Sequence, residues 1–135
     1  MWYYNDTVFE STPEEFQGFV YQLTEVSSNK KYIGKKNFWK PKTLPKTKTR
    51  KRRIRTRTES DWRLYYGSSE QVKGLLVEKG ETNFKRVILK LCKTKGEMSY
   101  YEAKLQFQFD VLFSDEYYNE FISCKIHSKH LSGKN

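Results

Sequence analysis

The stretch that decides the fold runs Gly18-Phe19-Val20-Tyr21 and, after the polar turn Ser27-Ser28-Asn29, Tyr32-Ile33-Gly34. Residues on both sides of the turn alternate in the manner of strands, which predicts a hairpin. Each strand carries one tyrosine, and the glycine of the second strand allows another part of the chain to approach closely. We therefore predict a pair of phenols on neighbouring strands of a sheet.

The segments after the hairpin predict two helices and one more strand. Ser68 opens a capping-box pattern, and Gly80 is typical of a residue that follows a helix. The apolar run over residues 84–91 predicts a buried strand. Apolar residues at helical spacing predict a second helix over residues 97–112, with Glu102 near the boundary between helix and sheet. The expected fold is α/β, with a small, mainly antiparallel three-stranded sheet flanked by helices.

The 135 residues divide into one domain and two flanking segments. Residues 1–16 are expected to form an N-terminal strap, in which Thr12-Pro13-Glu14-Glu15 has the pattern of a helix start. Residues 17–131 are expected to form the domain itself, and residues 132–135 a frayed tail.

Composition restricts the class of protein. Two cysteines, Cys92 and Cys124, fit free thiols in a reducing compartment better than a disulfide framework. No apolar run approaches the ~20 residues that a membrane span requires, so no membrane partner is expected. These features favour a cytoplasmic protein.

One segment accounts for the whole net charge of +10. Residues 40–58 contain no acidic residue, contain Pro41 and Pro45, and have almost no apolar side chains. Low hydrophobicity and self-repulsion predict an inserted basic loop or arm rather than a packed element. Such a cluster favours a polyanionic partner, and contacts from six to ten cations would make DNA affinity fall roughly 10³–10⁵-fold between 50 and 200 mM salt. Its ten cations are Lys40, Lys42, Lys46, Lys48, Arg50, Lys51, Arg52, Arg53, Arg55 and Arg57.

An ordered set of short motifs resembles a known family. Gly18-Phe19-Val20-Tyr21 and Lys31-Tyr32-Ile33-Gly34-Lys35-Lys36 resemble the opening hairpin of the GIY-YIG nuclease superfamily. The blocks at residues 61–69, 99–102 and 117–119 resemble, in the same order, a small phage-encoded branch of homing-endonuclease-like proteins. The resemblance covers roughly residues 17 to 131. It implies a DNA endonuclease that uses Mg²⁺ or Mn²⁺, in a phage-infected bacterial cell.

The resemblance also assigns roles to individual residues. It makes Glu102 the metal ligand, whereas the pattern Ser99-Tyr100-Tyr101-Glu102 alone fits a capping box equally well. An earlier helix start, at Thr94 with Glu97, would leave Glu102 free. Tyr21 is expected to act as general base or to orient water, and Tyr32 to position water or phosphate. Because a phenol has a pKa near ~10, either tyrosine needs a nearby cation or bound water to act near neutrality.

The remaining roles concern phosphate and DNA. Arg63 is our choice for the arginine that holds the scissile phosphate, with Lys35 and Lys36 as alternatives. Asn119 resembles the terminal asparagine that supports the site by hydrogen bonding. The residues expected to bind DNA are Lys35, Lys36, Arg50, Lys51, Arg52, Arg53, Arg55 and Arg57.

Two other functions remain open on the sequence alone. The first is a nucleic-acid-binding protein that retains the nuclease fold without catalysis. The second is an anti-restriction or regulatory protein whose partner is an acidic protein surface. A homodimer is compatible with all three, because the domain is small and has no separate recognition module.

Overall fold

The structure is a computed structural model that describes residues 1–49, 51–52, 54–123 and 125–130, with the backbone alone for Ile54 and His130. Arg50, Arg53, Cys124 and the tail predicted over 132–135 lie outside the described residues. The strands are β1 (Trp2–Tyr4), β2 (Thr7–Phe9), β3 (Gly18–Glu25), β4 (Lys31–Asn37), β5 (Trp39–Leu44), β6 (Ile54–Glu59) and β7 (Phe84–Cys92). The helices are α1 (Glu70–Lys79) and α2 (Lys95–Gln108), with short 3₁₀ helices at Trp62–Leu64, Glu81–Asn83 and Ser128–His130.

The main sheet has five strands in the order β2-β1-β7-β3-β4. The α/β class is confirmed, but the prediction of three strands was wrong. The central strands β7, β3 and β4 pair antiparallel as expected, while β1 joins β7 in parallel. Asn5 and Asp6 adopt left-handed φ angles of 51° and 63°. This two-residue turn folds β2 back onto β1 and brings the predicted strap into the sheet.

The helix start predicted at Thr12 was wrong, because residues 12–16 form no helix. The Thr12 hydroxyl instead bonds the Glu59 carboxylate and accepts a hydrogen bond from the Trp62 indole at 2.9 Å. The cap-forming side chain is thus used for a tertiary contact.

Both long helices are present with shifted ends. Ser69, not Ser68, caps α1 by accepting from the Val72 amide, and Gly80 follows the helix as predicted. Helix α2 begins at Lys95 and ends at Gln108, four residues before the predicted end. Asp110, with a left-handed φ of 51°, turns the chain there, so Leu112 lies 46% exposed rather than in the core.

The sheet separates two cores. Phe19, Tyr21 and Leu23 face one cluster, which also receives Trp62 and the buried Val72 of α1. Val20 and Ile33 face the other cluster, which is covered by α2. Strand alternation therefore predicted correctly which residues share a face. The two helices lie on opposite faces of the sheet, and a site at the β4 edge can draw on both.

The basic segment was predicted to be a loop or arm rather than a packed element. This was wrong for the parts that lie in β5 and β6, while the described residues between the two strands belong to no helix or strand. Strands β5 and β6 pair antiparallel as a separate ribbon over residues 39–44 and 54–59. Across the two strands, Lys40 faces Thr58, Lys42 faces Thr56, and Thr43 faces Arg55. No two cations of the paired strands are directly opposite each other, so the repulsion that argued against regular structure is largely avoided.

Among the described residues, none of the helices combines the length and apolarity needed to cross a membrane.

Cys92 is a buried free thiol, and burial raises its pKa to about 12. Since the thiolate is the reactive form, this cysteine is structural rather than nucleophilic.

Glu25, buried at the end of β3, joins three parts of the molecule. Its carboxylate accepts hydrogen bonds from Tyr118 at 2.8 Å, from Lys79 at 3.2 Å and from the Ser28 hydroxyl. Burial by itself raises the pKa of the carboxyl, but the bonds from Ser28, Tyr118 and Lys79 outweigh burial and hold the pKa below its usual range. Glu25 therefore stabilises the folded state as an anion.

This lowered pKa predicts a loss of stability in acid. Because the unfolded carboxyl binds its proton at a higher pH than the folded one, stability is full above the unfolded value of ~4.3 and falls as pH drops through the folded value. Urea unfolding between pH 3 and 6 should show a steeper decline for the wild type than for Glu25→Gln. Glu78→Gln, an exposed change on α1, is the control and should decline like the wild type. Parallel curves for wild type and Glu25→Gln would contradict the assignment.

Candidate functional site

The two predicted phenols lie on the same side of the sheet. The ring centroids of Tyr21 and Tyr32 are 6.3 Å apart, and Tyr21 is directly opposite Gly34 in the β3–β4 pairing. A Cβ atom at residue 34 would lie 2.6 Å from the Tyr21 hydroxyl oxygen, so only glycine leaves room for this ring. Gly67, with a φ of 101°, brings the segment before α1 over the same hydroxyl.

The two tyrosines differ in accessibility. Tyr21 is 1% exposed, and burial, together with the neighbouring Tyr65 and Tyr32, raises its pKa well above the usual value. Tyr32 is only half-buried, and its hydroxyl lies 3.5 Å from that of Ser68. Burial raises the Tyr32 pKa as well, although Ser68 opposes the shift. Tyr32 is thus the phenol that solvent can reach.

Helix α2 brings Glu102 to the same place from the other face of the sheet. The helix is capped by Thr94, whose side chain accepts from the Glu97 amide, so Glu102 lies in the helix interior and is not a cap. Burial raises the pKa of the Glu102 carboxyl, and Lys35, 3.9 Å away, partly opposes the shift. The carboxylate also raises the pKa values of both Tyr21 and Tyr32 electrostatically, as expected for neighbouring charges.

These groups meet in a cleft of about 360 Å³ at the β4 edge of the sheet. Tyr32 contributes from the sheet, Glu102 from α2, Ser69 from the start of α1, and Asn119 from the chain after α2. Tyr21 lies behind Tyr32 and outside the lining. The cleft is open to solvent and carries hydroxyl, carboxylate and amide groups, which is the chemistry of a polar substrate.

Asn119 fixes the centre of β4. Its Oδ1 accepts from the Ile33 amide at 3.0 Å, and its Nδ2 donates to the Ile33 carbonyl at 2.8 Å. One residue earlier, the Tyr118 amide donates to the Lys31 carbonyl at 2.7 Å. The chain after α2 therefore covers the β4 edge and positions the backbone on both sides of Tyr32.

Gln106 is a cleft residue that sequence reasoning missed. It lies one helical turn after Glu102, is 4% exposed, and donates its Nε2 to the Ile33 carbonyl at 2.9 Å. Its Oε1 is buried without a hydrogen-bond partner among the described residues. A buried unpaired acceptor is costly, so an oxygen-seeking ligand or water in the cleft would relieve it. The spacing of four residues from Glu102 was the available signal.

Comparison with known proteins agrees with this geometry. Residues 2–122 match the family model described as "Putative endonuclease segE, GIY-YIG domain". The chain belongs to the GIY-YIG family. No curated protein and no solved structure matches it. The GIY-YIG match includes β1 and β2, in agreement with the finding that the N-terminal residues are part of the sheet.

The three candidate phosphate-binding cations lie in different places relative to the GIY-YIG cleft. Arg63 donates to Glu59 at 3.2 Å and to the Glu10 carbonyl at 3.0 Å, and it is not among the cleft-lining residues. Lys36 is paired with Asp61 at 2.6 Å. Lys35 is the cation beside Glu102, where it also donates to Ser99 at 2.8 Å. Neither Arg63 nor Lys35 lines the cleft itself, but Lys35 lies beside the lining residue Glu102, so the structure favours Lys35 over Arg63.

The predicted DNA-binding residues of the arm lie at the surface. The exposed members among the described residues are Lys51, Arg52, Arg55 and Arg57, while Arg50 and Arg53 are outside the description. The guanidinium of Arg57 stacks on the Trp39 ring at 4.0 Å and donates to the Glu14 carbonyl at 2.9 Å. Arg57 thus holds the ribbon against the segment between β2 and β3 in addition to adding charge.

Proposed function

We propose that this protein is a divalent-metal-dependent DNA endonuclease that hydrolyses phosphodiester bonds. One observation carries the proposal. The Tyr32 phenol, from one face of the sheet, and the Glu102 carboxylate, from α2 on the other face, both line one solvent-accessible cleft. Membership of the GIY-YIG endonuclease family supports the same reaction class.

The donor atoms of the cleft fit Mg²⁺ or Mn²⁺. The Glu102 carboxylate and the unpaired Gln106 Oε1 are hard oxygen ligands of the kind these ions prefer. Within the described residues, no group of three or more His, Cys, Asp or Glu side chains is arranged to hold a metal ion. Glu70 and Glu120 also line the cleft. The Glu102 carboxylate alone would still suit Mg²⁺, which usually keeps several waters and shares phosphate oxygens of the substrate. When bound, the ion would stabilise negative charge on the phosphate.

Tyr32 and Tyr21 have different tasks in this proposal. Tyr32 lines the cleft, so its hydroxyl can hydrogen-bond the attacking water or a phosphate oxygen. Tyr21 is buried behind it, and its raised pKa keeps the phenol protonated, so it supports the Tyr32 ring rather than accepting the proton. Tyr32 thus keeps the role expected from the family resemblance, whereas Tyr21 loses its expected role as general base or water-orienting group because it is buried.

Lys35 and Asn119 complete the machinery. Lys35 places a positive charge at the carboxylate end of the cleft, where it can compensate charge that develops on the phosphate oxygens. Asn119 holds the backbone of Ile33 by two hydrogen bonds and so fixes the orientation of the neighbouring Tyr32. Asn119 is accordingly a positioning residue.

The finer assignments follow from resemblance. The ordered motifs support a homing-endonuclease-like activity in a phage-infected bacterial cell. A single cleft cuts one strand at a time, so a double-strand break would require two copies of the chain, or two successive cuts.

A plasmid assay tests the proposal. Purified protein with supercoiled plasmid and Mg²⁺ or Mn²⁺ should produce nicked or linear DNA, and the same mixture with excess EDTA should leave the plasmid intact. Nicked circles alone would indicate single cuts, and linear molecules without a nicked precursor would indicate paired copies. Binding of DNA without any cleavage in either metal would overturn the catalytic proposal in favour of a non-catalytic nucleic-acid-binding protein.

A further inference from the structure

We propose that the β5–β6 ribbon enters the DNA major groove and reads base edges with one of its two faces, that of Lys40, Lys42 and Thr56. The proposal deepens the proposed function, since it takes duplex DNA as the ligand. It assigns target choice to the basic segment, for which the sequence predicts a polyanionic partner.

The strand register divides the ribbon side chains into two sets. Residues directly opposite each other share a face, and faces alternate along each strand. Lys40 and Lys42, opposite Thr58 and Thr56, therefore lie on one face of the ribbon. Trp39, Pro41 and Thr43, opposite Glu59, Arg57 and Arg55, lie on the other. The first face carries only lysine and threonine at these four positions, and the second carries the aromatic ring and the arginines.

Contacts at the base of the ribbon show which face is already occupied. Arg57 stacks on Trp39 and reaches the Glu14 carbonyl, and Glu59 bonds Thr12 and Arg63. All these contacts belong to the second face, which thus rests against the segment between β2 and β3. The lysine–threonine face is turned away from them, and Lys40, Lys42 and Thr56 are exposed.

One cation of the lysine–threonine face, Lys40, lies close enough to Asp61 to influence that carboxyl, and Asp61 pairs with Lys36 of β4. Lys36, Gly34 and Tyr32 alternate with Lys35 along β4, and Lys36 lies over the Tyr65 ring at 4.2 Å. Lys36 also pairs with Asp61, and Lys36 first and Lys40 more weakly lower the pKa of the Asp61 carboxyl. Lys36 and Lys40 therefore lie near the same carboxylate, so a duplex that contacts Lys36 can also reach the lysine–threonine face.

Dimensions and chemistry favour the major groove. Each strand of the ribbon has six residues, which span roughly 20 Å. The major groove is ~12 Å wide and admits a two-stranded ribbon, whereas the minor groove is ~6 Å wide. Lysine donates to the guanine O6 and N7 atoms, and threonine can bond base edges or contact the thymine methyl group. The side chains of the lysine–threonine face can therefore bond base edges. Arg57, on the other face, is already engaged by Trp39 and the Glu14 carbonyl.

Two charge-matched variants test the proposal. Lys42→Ala and Arg55→Ala each remove one positive charge from an exposed position, but from opposite faces of the ribbon. Each protein, with EDTA to prevent cleavage, would select bound sequences from a random duplex DNA pool, and guanine N7 protection from dimethyl sulfate would be mapped on the selected DNA. The wild type should enrich a motif of roughly six base pairs, the length of the ribbon, with its guanines protected. In Lys42→Ala, the preference for the selected base should fall about tenfold at one or two positions of the motif. Arg55→Ala should select the same motif but bind all DNA sequences more weakly.

The remaining outcomes decide the proposal. If Lys42→Ala and Arg55→Ala select the same motif and give the same guanine N7 protection, the proposal is overturned. The ribbon would then bind only the DNA phosphates. Competition by duplex RNA as effective as that by DNA would also overturn the proposal, because the major groove of A-form RNA is too narrow for side chains. Plasmid cleavage without an enriched motif would refute base reading and leave the nuclease function standing. An enriched motif without plasmid cleavage would support base reading and refute the nuclease function.

Discussion

Glu102→Gln is expected to reduce DNA cleavage by a factor on the order of 10³ while largely sparing DNA affinity. The amide keeps the size of the side chain but removes the carboxylate that lines the cleft with Tyr32 and lies 3.9 Å from Lys35. We expect DNA affinity to depend mainly on the exposed cations of the ribbon, which the change does not touch. Cleavage rates under single-turnover conditions and binding in EDTA would measure the two effects separately.

The control for this prediction is Glu78→Gln, which removes an exposed acid from α1 and should cut at the wild-type rate. The pH profile offers a second readout. Burial raises the pKa of the metal-free Glu102 carboxyl, whereas a bound cation would lower it, so raising the Mg²⁺ concentration should move the acid limb of the wild-type profile to lower pH. Undiminished cleavage by Glu102→Gln would refute the role of this carboxylate.

Gly34→Ala should impair both folding and cleavage. The added methyl carbon would lie 2.6 Å from the hydroxyl oxygen and 2.8 Å from the Cζ atom of Tyr21. Since Tyr21 is enclosed by Trp2 and Tyr65, the ring has no free space to move into. Overpacking of this kind costs about 1–3 kcal/mol of unfolding free energy. The displaced phenols should lower cleavage by a factor on the order of 100, measured at a temperature where the variant is folded.

The matched control is Gly74→Ala on α1. A Cβ atom there meets nothing within 4 Å, and alanine favours an exposed helix interior by about 1 kcal/mol over glycine. Urea unfolding should therefore show the two substitutions moving stability in opposite directions. A Gly34→Ala protein with wild-type stability and cleavage would show that the close approach of the Tyr21 ring is dispensable.

Much of the central fold was predictable because the hairpin and β7 are long and alternate regularly. Strands β1 and β2 have only three residues each, too few for a periodic signal, and Asn5 and Asp6 were not recognised as a tight turn. The ribbon was missed for a different reason. Composition gave the total repulsion of residues 40–58 but not the pairing, in which each cation of the paired strands faces an uncharged residue.

The residues of the candidate site were easier to predict from the sequence than their individual roles. Tyr21, Tyr32, Glu102 and Asn119 could be named from motifs, and the structure brings them together around one β-strand edge. Which tyrosine meets solvent depends on Gly67 and Tyr65, whose positions over Tyr21 no local pattern encodes. Arg63 was chosen from its motif, but its hydrogen bond to the Glu10 carbonyl joins residues 53 apart in sequence, which no local pattern reveals. Gln106 was overlooked because an orphan acceptor can be recognised only once the surroundings are known.

The way β1 and the chain after α2 join the sheet has a consequence for how the protein acquires its structure. Trp2 is opposite Arg86 in the pairing of β1 with β7. Asn119 is hydrogen-bonded to Ile33, which lies 86 residues earlier in the sequence. Many of the enclosing contacts thus have high contact order, which slows two-state folding because large loops must close before their contacts form. During synthesis the opening hairpin emerges early, but its exposed edge stays unprotected until Asn119 has left the ribosome. The cleft is therefore among the last regions to mature.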